Sequence, residues 1–172
     1  MDVEAFLSQH GFNEPNEDYL WFDCKWFYDS DSYHDLIIGL QRISRGKFNP
    51  QDILIEEGKP RKEGFVQKGD PLFDVDFQLV KIHFRLSGKQ EIIKICCVRW
   101  LDIDIVLEVN RMLREYLGMD EQFYSAGQGG QDLILVYGEP SLKEALQREE
   151  LWVDLEDLRI EKPVSFSLLE IK

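Results

Sequence analysis

The strongest constraint on the fold is an unbroken run of alternating side chains from Phe73 to Leu86. Phe73, Val75, Phe77 and Leu79 alternate with Asp74, Asp76 and Gln78; the apolar set then moves to Val80, Ile82, Phe84 and Leu86, with Lys81, His83 and Arg85 between. Successive side chains of a strand point to opposite faces, so a period of two predicts a strand. The change of parity at Leu79-Val80 predicts a β-bulge, because one extra residue returns the same face to the core. Ser87-Gly88-Lys89 then supplies a turn and Glu91 to Trp100 a second apolar run, so 72–100 reads as an antiparallel hairpin.

Helical and strand patterns surround the hairpin. Val3 to Phe12 predicts a short helix ending near Gly11, and Tyr19 to Tyr28 a strand with Leu20, Phe22, Cys24 and Trp26 on one face. Ser30 or Asp31 can cap a helix carrying Leu36, Ile37, Leu40 and Ile43, with Gly46 as its stop. Asp52 to Glu57 reads as a strand leading into a basic loop, Gly58 to Lys62. A helix starting at Asp102 or Asp104 presents Ile105, Val109, Met112, Leu113, Tyr116 and Leu117 as one stripe, closed by Gly118. Phe123 to Ala126 and Leu133 to Tyr137 read as strands joined by a glycine-rich turn. Ser141 and Glu144 have the spacing of a capping box for a helix to about Leu151, and Val164 to Leu169 predicts a last strand. The expected class is α+β: an antiparallel sheet packed against several helices, in a single layer on at least one face. At 172 residues and 44% hydrophobic content, the chain suits one domain over 1–172.

Several function classes are set aside by what the chain lacks. Apolar runs such as Ile95 to Val98 are far shorter than the roughly 20 residues that cross a bilayer. Met1-Asp2-Val3-Glu4 has the wrong charge for a signal peptide, so a cytoplasmic location is expected. Cys24, Cys96 and Cys97 are an odd number, and the adjacent pair would face opposite sides of a strand, so all three read as reduced, buried thiols. An apolar strand raises a thiol pKa, which opposes a nucleophilic role. His10, His34 and His83 are scattered and fall in no ligand spacing, so neither a metal nor another cofactor is expected; His83 reads as solvated or paired at the surface. Gly127 to Gly130 is followed by neither Lys-Ser nor a helix, so it reads as a turn rather than a phosphate loop.

Charge says more about partners. With 20 Lys+Arg against 33 Asp+Glu, the net charge is −13, which repels nucleic acid and anionic membrane and attracts a basic protein. Asp74 with Asp76, and Asp102 with Asp104, are carboxylate pairs at same-face strand spacing; such pairs can hold a cation or divide acid and base work, or simply be solvated. The segment from Glu139 to Glu161, both included, holds eight acids and three bases, with Leu151, Trp152, Val153 and Leu155 among them. Two accounts fit that segment. Trp152 can anchor a protein-docking surface rimmed by Glu149, Glu150 and Asp154, or it can close the core.

Phe123-Tyr124-Ser125, Gly129-Gly130-Gln131-Asp132, Leu133 to Tyr137 and the helix through Ala145-Leu146 resemble the ending of small acidic bacterial immunity proteins, which accompany polymorphic or contact-dependent toxins. Trp100 to Asp104 and Val109 to Leu113 fit the same pattern, so the likeness covers residues 98–150. The resemblance implies a binding protein rather than an enzyme, whose partner is a cognate toxin with a basic surface, such as a nuclease cleft. Asp74, Asp76, Glu149, Glu150, Trp152 and Asp154 are then the expected partner contacts. A general interaction or regulatory domain would share these features, and a carboxylate- or metal-dependent hydrolase is the enzymatic alternative.

Overall fold

The computed structural model describes the backbone at residues 1–67, 70–163 and 166, and the side chains at these positions apart from 62–75. Among the described residues the order is α1 (Val3–Gln9), β1 (Tyr19–Asp23), α2 (Ser30–Ile43), β2 (Gln51–Glu57), β3 (Arg61–Gln67), β4 (Asp70–Leu86), β5 (Lys89–Cys97), α3 (Asp104–Glu115), β6 (Gln122–Ala126), β7 (Asp132–Gly138), α4 (Pro140–Arg148) and β8 (Trp152–Val153). Single 3-10 turns occupy Cys24–Trp26 and Leu155–Leu158. The class is α+β, with two open antiparallel sheets.

The first sheet has the order β1-β7-β6-β8 and is buried on both faces. Phe6 and Leu7 of α1 and Leu142 and Leu146 of α4 cover one side, against Tyr19, Tyr124, Ile134 and Val136. Leu20, Phe123, Leu133 and Leu135 on the other side join a larger core with α2, α3 and the second sheet. Gly39 is where α2 meets β1: a Cβ there would stand 3.0 Å from the Leu20 methyls, which explains a glycine inside a helix. The two central helices thus fill the space between the sheets.

In the second sheet, β4 is the spine. The expected hairpin is present, with Ser87 and Gly88 both at positive φ, as a two-residue turn of the primed type requires. β2 and β3 run in series along the other edge of β4: Glu57 faces Val80, the Gly58 N–H donates to the Leu79 carbonyl at 2.7 Å, and Arg61 faces Phe77. The expected basic loop is therefore shorter than Gly58 to Lys62, with Arg61 and Lys62 already in β3.

The bulge expected at Leu79-Val80 does not form. The β4–β5 ladder runs without a break from Gln78 opposite Cys97 to Leu86 opposite Lys89. Parity changes because the buried face changes. Val80, Ile82 and Phe84 pack toward α2 and α3, whereas Phe77 and Leu79 pack on the reverse face with Cys96, Val98, Ile160 and Phe166. A C-terminal cover over one corner of the sheet explains the pattern that an inserted residue would also have produced. The register shifts that do occur lie in β2 between Gln51 and Leu54, and in β3 between Glu63 and Phe65.

Local capping accounts for the other differences. β1 stops at Asp23, whose Oδ1 accepts from the Lys25 N–H at 2.8 Å and starts a 3-10 turn where the aromatic run predicts more strand. Asp29, not Ser30 or Asp31, caps α2, with Oδ1 3.0 Å from the Ser32 nitrogen. The capping box at Ser141 is absent: Pro140 lacks an N–H and is preset for the first helical position, so Ser141 already lies inside α4, which ends at Arg148. Tyr116 falls just beyond α3 and is exposed. The last strand expected over 164–169 lies outside the described residues apart from Phe166. No helix among the described residues is long and apolar enough to cross a membrane.

Candidate functional site

The acids singled out in the sequence fall into different settings. Asp74 lies outside the residues with described side chains, and Asp76 is exposed on β4 opposite Lys62. Glu149 is the C-cap of α4, and Glu150 takes φ of 58° to swing Leu151 into the core. Trp152 is half-buried: it faces Ala126 across β8 and β6, packs against the α1–α4 core, and has the Lys143 ammonium 4.8 Å from its ring centre. Asp154 caps the second 3-10 turn, 3.0 Å from the Glu156 nitrogen. Asp76 and the 149–154 group stand on different sheets, so they do not form one cluster.

Asp102 and Asp104 have a structural task. Asp102 is the one buried carboxylate among the described residues. Its Oδ2 accepts from the Cys96 N–H at 2.9 Å and pairs with Lys162 Nζ at 3.0 Å, its Oδ1 accepts from the Asp104 N–H at 3.2 Å, and its own N–H donates to the Tyr33 hydroxyl at 2.8 Å. Asp104 holds Lys162 at 2.6 Å and the Arg159 Nε at 2.8 Å. Burial pushes the Asp102 carboxyl above its ordinary value, while the Lys162 charge pulls it partly back. Burial opposes the Lys162 charge too, yet the two aspartates outweigh it and hold the ammonium above its usual pKa. Every oxygen of both carboxylates is taken. The pair fastens the segment at 159–162 to the end of β5.

Beside this latch, a cleft of about 530 Å³ runs between β5 and α3, with Ile92, Leu107, Glu108, Arg111, Arg114 and Lys162 in its walls. Its cations are largely neutralised in place: Arg111 bonds Glu108 and Glu115 at 2.9 Å each, and Lys162 and Arg159 are held by aspartates. The three cysteines are buried and their thiols are pushed up to about 12, first by burial and then by neighbouring carboxylates: Asp23 and Asp132 at Cys24, Asp102 at Cys96, and Asp29, Glu57 and Asp102 at Cys97. Such thiols stay protonated at neutral pH. His83 pairs with Glu56 at 2.9 Å on the sheet surface, and this bond, with the Lys81 charge, lowers the Glu56 carboxyl. No group of three or more His, Cys, Asp or Glu among the described residues is placed to hold a metal ion. The Gly127–Gly130 segment joins β6 to β7, as a turn between strands.

A feature hidden from the alternation argument is the turn after β1. Cys24 and Phe27 point into the core, so Trp26 and Tyr28 are left outside, 65% and 55% exposed, with their rings in edge contact at 5.9 Å. The backbone beneath is fixed: the Cys24 N–H donates to the Gln131 carbonyl and the Leu101 N–H to the Cys24 carbonyl, both at 2.8 Å, and the Ser32 hydroxyl donates to the Trp26 carbonyl at 3.2 Å. Carboxylates flank the pair. Asp23 lies opposite Asp132 in the β1–β7 ladder, Asp29 and Asp31 open α2, and Glu57 accepts from the Ser30 hydroxyl. The density of aromatics in Tyr19 to Tyr28 is the available signal, but alternation alone puts Trp26 on one face with Leu20 and Cys24, which the structure buries. No family model, curated protein or solved structure matches the chain.

Proposed function

We propose that this chain is an immunity protein, a non-enzymatic inhibitor that occupies the basic surface of a cognate bacterial toxin. One observation carries the reading: with Asp102 the single buried carboxylate among the described residues, and that one paired to Lys162, the surplus negative charge is displayed toward solvent rather than gathered around an internal site. A surface of that sign speeds encounter with a cationic cleft, places carboxylates where phosphates would lie, and weakens as salt rises. The likeness of residues 98–150 to acidic immunity proteins points the same way.

Co-expression with the product of the neighbouring gene tests the proposal. Growth arrest by that product, relieved by this chain and accompanied by a salt-sensitive complex in pull-down, is the expected result. A neighbour that is harmless, or toxic with no rescue, would overturn it.

A further inference from the structure

We propose that the basic partner docks on the outward-facing Trp26–Tyr28 pair between β1 and α2. This rests on the reading of a basic protein partner given above, and it moves the contact away from the acids at 149–154. Binding hot spots favour large aromatic side chains held ready before contact, because little side-chain freedom then remains to be lost. Trp26 meets that description: its ring is mostly in solvent, yet Cys24 and Phe27 anchor the turn on either side and three hydrogen bonds fix the backbone. Trp152, by contrast, is half-buried against the α1–α4 core and already carries its own cation, Lys143.

The rim commits the occupant to positive charge. Asp23, Asp29 and Asp31 flank the pair along the chain, Asp132 lies opposite Asp23 and Glu57 is bonded to Ser30, with Lys25 as the base within the turn. Asp23 and Asp132 are direct cross-strand neighbours, an arrangement that repels and weakens a sheet. Asp23 has a capping task, but Asp132 is exposed and nothing in the fold calls for a second anion there. A local rule broken without structural gain is what a binding surface leaves behind. A second copy of the chain is disfavoured as occupant, since a two-fold contact would set the same carboxylates against one another. An arginine-rich protein surface satisfies both parts, stacking guanidinium groups on the rings and pairing them with the rim.

The test uses the full chain with a fluorescently labelled arginine-rich peptide, and a control peptide with glutamine in place of arginine. Wild type should bind the arginine peptide in a salt-sensitive manner and ignore the control. Trp26→Ala with Tyr28→Ala should bind about thirtyfold more weakly, the loss typical of a hot spot. Asp132→Lys should also weaken binding and flatten its salt dependence, whereas Glu149→Lys with Glu150→Lys should stay near wild type. Tight, salt-sensitive binding that survives the aromatic double substitution overturns this site and leaves the basic-partner reading standing. Failure of wild type to bind the arginine peptide, or equal binding of the control, overturns both. A concentration-dependent dimer in sedimentation, abolished by Trp26→Ala, would assign the face to self-association and overturn the site alone.

Discussion

Two ends of the molecule handle the same chemical group in opposite ways. At the end of β5, Asp102 and Asp104 are met by Lys162 and Arg159 from the chain itself, so their charges are spent on holding the C-terminal cover in place. At the turn after β1, Asp132 and Asp31 face solvent with no ion pair among the described residues, around an aromatic pair that the core does not need. The difference teaches that a count of acids says little about function until the chain's own cations have been assigned. What is left over is available to another molecule.

The largest test of that division is Lys162→Met. It strands a buried carboxylate, so about 3–5 kcal/mol of stability should be lost in urea unfolding. Cys96, which lies beneath Ile160 and Phe166, should become open to alkylation while Cys24 and Cys97 stay protected. Full protection of Cys96 in this variant would mean that the cover does not depend on the latch. Asp102→Asn keeps the shape but offers one accepting oxygen where two are used, so the buried Cys96 N–H or the Asp104 N–H loses its partner; a loss of about 2 kcal/mol is expected, as for a buried donor left unsatisfied. Because the folded Asp102 carboxyl lies above its ordinary 3.8, its titration favours the fold below that value and the contribution is lost as pH rises through the folded pKa. The advantage of wild type over Asp102→Asn should therefore shrink as pH climbs from 3.8, which paired unfolding curves will show.

Smaller effects are expected at the other end. Asp29→Ala removes the α2 cap and should cost about 1 kcal/mol, while Asp29→Ser keeps a capping oxygen and should restore most of it. Both should bind the arginine peptide more weakly, which separates the charge of Asp29 from its structural role. Trp26→Ala should change stability by less than about 0.5 kcal/mol, as for an exposed side chain. A large loss there would break the contrast, because it would make the aromatic pair part of the architecture.

How much of this was legible follows from the range of each interaction. The hairpin, the helical stripe of α2, that of α3 as far as Leu113, and the β6–β7 pair rest on periodicity within about a dozen residues, and they match the structure. The opposite facing of Cys96 and Cys97 was legible for the same reason, and the structure sends them into different cores. The C-terminal cover was not legible, because Phe166 joins the cluster of Leu79 from half the chain away; a change of parity is the only local trace it leaves, and a bulge would leave the same one. Asp102 read as half of a carboxylate pair for want of any local sign of Lys162. Trp26 was misplaced by a single side chain: Asp23 ends the strand by capping the next turn, and propensity alone favours continuing it.

The order of sheet assembly sets when the Trp26–Tyr28 face can exist. β4 and β5 zip from a tight turn and need only neighbouring residues, whereas Tyr19 must find Val136 and the Cys24 amide must find Gln131. Pairings that close long loops form late. An N-terminal fragment, or a nascent chain still emerging from the ribosome before β7 is made, would carry Trp26, Asp23, Asp29, Asp31 and Glu57 but lack Asp132 and the β7 pairing that fixes the turn. The proposed docking face would then appear only once β7 has been made and paired with β1.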